Sequence, residues 1–80
     1  MRLDKYLKVS RLIKRRTVAS EACSASRVTV NGKAAKPSHE LKVGDILEIS
    51  LGSAPLKVEV LQLNEFSQKA DAGTMYRVIE

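Results

Sequence analysis

Leu3, Tyr6 and Leu7 fall at the i, i+3, i+4 spacing of one helical face, so residues 2–9 read as a short amphipathic helix. Arg2, Lys5 and Lys8 recur every three residues on the opposite side. Residues 10–16 form a basic connection containing Leu12 and Ile13. A second helix is expected from Thr17 to about Ser24, with Val18, Ala19, Ala22 and Cys23 as its buried stripe. Thr17 is the expected cap, its hydroxyl accepting a backbone N–H bond. Small residues on that stripe let the helix lie close to its neighbour.

The period changes at Arg27. Arg27-Val28-Thr29-Val30 alternates polar and β-branched residues, as a half-buried strand does, and Asn31-Gly32 is the strong short signal for a type I′ hairpin turn. The return strand is short, because Pro37 has no N–H to donate to a ladder. Gly44-Asp45 marks a further turn after Leu41 and Val43. Residues 46–51 alternate, with Leu47, Ile49 and Leu51 on one face, and Leu56, Val58 and Val60 line another strand beyond a loop at 52–55. Residues 64–73 are polar and read as a mobile loop, and residues 75–79 close the sheet. Two or three short N-terminal helices followed by four or five strands make an α+β domain, with helices segregated from a small antiparallel sheet.

Eighty residues make a single domain, 1–80, whose 1–50 portion is the helical and first-strand core and whose 51–80 portion adds the closing strands. A chain of this size buries only about 60% of its unfolded surface, which leaves little room for a deep catalytic cleft. No signal-peptide run follows Met1, and no apolar stretch reaches the length of about 20 residues that spans a membrane. The single cysteine, Cys23, has no partner for an internal disulfide, which suits a reducing cytoplasm.

Charge changes the picture most. The net charge is +5, but residues 1–36 hold ten Lys/Arg against Asp4 and Glu21, while residues 37–80 hold four against seven acids. A purely solubilising surface accounts poorly for that division. It is the footprint of a phosphate-binding face. Arg2, Arg11, Arg15 and Arg16 are the leading candidates for RNA contact, since a guanidinium bonds phosphate bidentately and stacks on bases. Lys5, Lys8 and Lys14 support them as point charges. The positive end of the second helix's dipole favours a phosphate beside Lys14-Arg15-Arg16. Asp4, the lone acid among these seven cations, is expected to pair with one and fix its rotamer. Tyr6 is expected in the core rather than stacked on a base, and Lys33 and Lys36 are placed to extend the basic face.

No catalytic constellation is visible. His39 has no Cys, Asp or His at metal-ligand spacing and reads as a solvent-exposed loop histidine. Cys23 reads as a small core residue with no histidine to activate it. No glycine-rich phosphate loop, zinc signature or serine elbow occurs, so neither a metal, a cofactor nor a small-molecule substrate is expected.

The runs RLDKYLKVSRLIKRRTVA, RVTVNG and KVGDILEI together resemble the RNA-binding domain first named in small-subunit ribosomal protein S-four. That resemblance covers roughly residues 1–50 and implies the αL RNA-binding motif, with Arg2, Asp4, Arg11 and Arg16 at signature positions and Arg15 beside them. Among stand-alone members, the chain is similar to the heat-shock protein fifteen family and, in its opening run, to the RqcP family. This implies binding to ribosomal RNA and tRNA on a large ribosomal subunit obstructed by peptidyl-tRNA, in support of quality control and C-terminal tailing of stalled chains. The free protein is then expected to be a cytoplasmic monomer. Two departures stand out. Ser26 occupies a position where the family commonly has Gly, at a cost of roughly 1 kcal/mol for a left-handed cap. The long basic tail of heat-shock protein fifteen is missing, since residues 64–80 are near neutral. Two other readings remain open at this point: an accessory that brings an RNA-modifying enzyme, or another structured RNA, into contact, and a protein-docking module using the acidic half.

Overall fold

A computed structural model describes residues 1–50, 52, 55–63 and 75–79. The elements run α1 (Leu3–Val9), α2 (Arg16–Ser24), β1 (Val28–Val30), β2 (Lys33–Ala34), β3 (Ile46–Ile49), β4 (Leu56–Val60) and β5 (Tyr76–Val78). The strands form one antiparallel sheet in the order β2-β1-β3-β4-β5, with the two helices packed on one face. This is the α+β arrangement that the change of period implies. Leu51, residues 53–54 of the expected 52–55 loop and the expected loop at 64–73 lie outside the described residues.

Alternation decides which side chains face the helices. Val28 and Val30 of β1, Leu47 and Ile49 of β3, and Val58 and Val60 of β4 are buried, and register sets Val30 opposite Leu47 and Leu47 opposite Val58. Leu3, Tyr6 and Leu7 close over them from α1, with Ala19, Ala22 and Cys23 from α2. Tyr6 is a core residue at 0% exposure, and its hydroxyl donates to the Met75 carbonyl at 2.7 Å. On the outer face, Arg77 bonds Glu59 at 2.7 Å and Lys57 sits opposite Glu48, so that side largely neutralises itself.

The helix ends show where local patterning misleads. α2 begins at Arg16 rather than Thr17. Arg15 has extended backbone and its carbonyl accepts the Ala19 N–H at 3.0 Å, which makes it the N-cap and places Thr17 inside the first turn, so no hydroxyl caps the helix. Burial of Ile13 and Ala19 sets that phase. Val18 also departs from the expected stripe and is 40% exposed, because the neighbouring elements cover only the arc from Ala19 through Ala22 and Cys23. At the other end, Ser26 is left-handed (φ 60°), the Ser26 N–H donates to Cys23 and the Arg27 N–H to Ala22. This is the Schellman arrangement that usually employs glycine. Arg27 is therefore spent on the cap, and β1 starts one residue later than the alternation suggests.

Asn31 and Gly32 both take positive φ, 54° and 84°, as a type I′ turn requires. Asn31 does more than turn. Its Oδ1 accepts the Ile46 N–H at 2.9 Å and its Nδ2 donates to Asp45 at 3.1 Å, fastening the hairpin to the Gly44-Asp45 turn. The segment joining β2 to β3 passes the start of α1. There the Pro37 and His39 carbonyls accept the Asp4 and Leu3 N–H groups at 3.1 and 2.8 Å, satisfying donors that a helix start otherwise leaves open.

Two substitutions test this account. Tyr6→Phe should cost about 1 kcal/mol in a denaturant titration, no more, because the Leu61 and Gln62 N–H groups also donate to the Met75 carbonyl and keep it paired. Ser26→Gly should stabilise the fold by about 0.5–1 kcal/mol, since glycine accepts the left-handed cap without strain.

Candidate nucleic-acid interface

The cationic surface is built by three consecutive pieces of chain. α1 supplies Arg2 at its N-cap, Lys5 half-buried and Lys8 exposed in its last turn. The connection supplies Arg11 and Lys14, and the start of α2 supplies Arg15 and Arg16, all exposed. What turns these cations outward is the apolar residue among them. Ile13 is 5% exposed and its N–H donates to the Leu7 carbonyl at 3.0 Å, so the connection is pinned to the core at one point. To make that turn, Arg11 takes φ 64° and donates its N–H to Lys8 at 3.1 Å. A non-glycine residue there is strained, and no sequence signal marks it. Ser10 was likewise missed: its hydroxyl is buried and donates to the Leu7 carbonyl at 3.4 Å.

Asp4 draws the two ends of this surface together. Its carboxylate accepts Arg2 Nε at 3.2 Å and Arg2 Nη2 at 3.3 Å, and lies 3.6 Å from Arg16 Nη2. It also accepts the Lys5 N–H at 2.8 Å. The asymmetry of exposure matters. The Asp4 side chain is 5% exposed, whereas those of Arg2 and Arg16 are 50% and 48% exposed. One dry carboxylate thus anchors two guanidiniums whose other N–H groups face solvent, free to meet an incoming oxyanion. The expectation that Asp4 pairs with a cation describes the geometry, with two partners in place of one. Arg2 and Arg16 are brought together in this way. Lys8, Arg11, Lys14 and Arg15 stand along the same three pieces of chain without joining that clasp, and Lys5 meets it through its backbone N–H.

The α2 N-terminus adds a weaker element. With Arg15 as N-cap and no side chain bonded there, the first N–H groups of the helix point out beside Lys14, Arg15 and Arg16. Asparagine, Ser or Asp at that position would occupy them.

Burial, with the Asp4 charge adding to it, pushes the Cys23 thiol up to about 11, so it stays protonated at neutral pH. His39 is exposed, and the described residues contain no group of three His, Cys, Asp or Glu placed to hold a metal.

Comparison with known proteins follows the same line. The family model for the S4 domain matches residues 1–47. The RQC P-site tRNA stabilizing factor of Streptococcus pneumoniae is 54% identical over 79 residues, covering 99% of this chain and 90% of its own length. The factor of the same name from Bacillus subtilis is 45% identical over 80 residues, covering 100% and 93%. Among solved structures, the trimeric heat shock protein 15 of Vibrio cholerae superposes with a TM-score of 0.90 at 26% identity, over 98% of this chain and 80% of that one.

The clasp makes a prediction whose sign is informative. Asp4→Asn removes a negative charge from a cationic face, and on charge alone RNA binding would tighten. If Asp4 acts by holding Arg2 and Arg16, binding loosens instead, by roughly 3- to 10-fold, the effect of partly losing one or two charge-assisted contacts. Titration of the variant against ribosomal RNA decides between the two, and tighter binding would sink the positioning role.

Proposed function

This chain belongs to the S4 domain family, in the branch of the RQC P-site tRNA stabilizing factors, and from that membership we propose that it binds ribosomal RNA and tRNA on an obstructed large ribosomal subunit. There it supports quality control and C-terminal tailing of the stalled nascent chain. The single observation behind this reading is the Asp4 clasp, which gathers Arg2 and Arg16, the two ends of a strongly cationic run, and leaves both half-exposed.

Physical chemistry supplies the role. A tRNA lying against ribosomal RNA brings two phosphate backbones together, and their repulsion falls when fixed cations stand between them. Residues 1–36 carry ten Lys/Arg and two acids. Neutralising phosphates releases condensed counterions, a gain that requires no base recognition and no covalent step. The protein acts by binding, with Arg2, Arg11, Arg15 and Arg16 as the main contacts, Lys5, Lys8 and Lys14 in support, and Asp4 as the positioning group. It works as one RNA-binding domain, 1–80, monomeric when free, in the cytoplasm. None of its described helices is long and apolar enough to cross a membrane.

Sedimentation of cell extract tests the partner: the chain should travel with free large subunits, and its absence from every ribosomal fraction would overturn the proposal. Arg2→Ala and Arg16→Ala should each reduce that association while leaving thermal unfolding nearly unchanged, because either arginine still pairs with Asp4 when the other is removed. Lys57→Ala, on the self-neutralised outer face, should be silent; the parallel control at Lys69 lies outside the described residues. If about six phosphates are contacted, log K should fall against log salt with a slope of roughly −4 to −5.

A further inference from the structure

On the side of α2 facing β2 runs an open groove of about 510 Å³, within the size range of ligand pockets. Ser20 and Ser24 of α2 and Ser26 at its cap form one wall. Lys36 and Ser38, beyond β2, contribute to the opposite side, and Arg2 also lines it. None of the described residues lining the groove is acidic. Arg2 therefore borders both this groove and the Asp4 clasp, which makes the groove continuous with the cationic surface.

Two features distinguish it from a generic basic patch. Ser20 and Ser24 are four residues apart and share a helix face, which sets them about 6 Å apart along the axis, the scale of one nucleotide step in a sugar–phosphate strand. Lys36 is exposed and makes no ion pair among the described residues, so its ammonium remains available to an outside anion. Protein partners are gripped mainly by exposed apolar anchors. Among the described residues, the exposed large apolar side chains, Val18, Val43, Leu61, Val78 and Ile79, do not line the groove.

We infer that the groove takes a sugar–phosphate segment of the bound RNA, with Lys36 on a phosphate and the Ser20 and Ser24 hydroxyls hydrogen-bonding along the strand. The inference rests on the RNA-binding reading above and extends its contact surface from the helix starts to the edge of the sheet.

Binding of the full chain to purified large ribosomal subunits, measured over a series of salt concentrations, tests it. Lys36→Ala should weaken binding and make the log K against log salt slope shallower by about one, the signature of one lost phosphate contact. Ser20→Ala with Ser24→Ala should weaken binding roughly 5-fold or more with the slope unchanged, because neutral hydrogen bonds displace no counterion. Both variants should unfold at the wild-type temperature. Wild-type affinity and slope in both would overturn the inference. Arg16→Ala, run alongside, separates the two levels. If it weakens binding while the groove variants do not, only the groove assignment falls; if it is also indifferent, the RNA-binding reading falls with it. Deproteinised large-subunit RNA provides the last arm. A Lys36→Ala defect seen with intact subunits but not with that RNA would mean that a protein occupies the groove, and the inference would be wrong.

Discussion

A single carboxylate that water barely reaches organises the cationic face of this protein. A buried charge is tolerated only when paired and hydrogen-bonded. Asp4 meets that requirement with one backbone N–H from Lys5 and the guanidiniums of Arg2 and Arg16. Those arginines come from the starts of the two helices, so one carboxylate gathers side chains from both. It ties the start of α1 to the start of α2, and it orders two long side chains before any ligand arrives. Ordering of that kind lowers the entropy lost on binding, since less side-chain freedom remains to be removed.

The rest of the fold supports the clasp from beneath. Leu3, Tyr6 and Leu7 bury the opposite side of α1, and the Ala19-Ala22-Cys23 stripe brings α2 close enough for Arg16 to reach Asp4. The segment after β2 closes over the α1 N-terminus, where the His39 and Pro37 carbonyls accept the Leu3 and Asp4 N–H groups. The sheet is the platform, and its charged outer face is balanced by pairs such as Arg77 with Glu59. The exposed arginines of residues 2–16 stand instead on the helical side.

Much of this was legible in the residues alone, for identifiable reasons. The Leu3-Tyr6-Leu7 spacing and the Val28-Val30 alternation report burial directly, and Asn31-Gly32 reports a turn that few other pairs can make. The cations at 2–16 were legible as a group because charge needs no geometry to be counted. What escaped was whatever depends on tertiary phase. Thr17 is a good cap in isolation, but burial of Ile13 starts the helix one residue earlier. Val18 is apolar and at the right period, yet the covered arc is too narrow to include it. Arg11 takes a positive φ that local chemistry argues against, imposed by the need to turn between a pinned Ile13 and the end of α1. Asp4 was visible as an acid in basic company, but its second partner was not, because pairing with Arg16 exists only once two helices are packed.

The bond from the Tyr6 hydroxyl to the Met75 carbonyl joins positions 69 residues apart. Contacts so distant along the chain slow folding, since a large loop closes before they return any energy. During synthesis the first helix emerges early, but its aromatic anchor has no acceptor until the last strand follows. A copy made only as far as β4 thus presents its cations on an unfinished scaffold, and firm seating of the helical face waits for Met75 and β5.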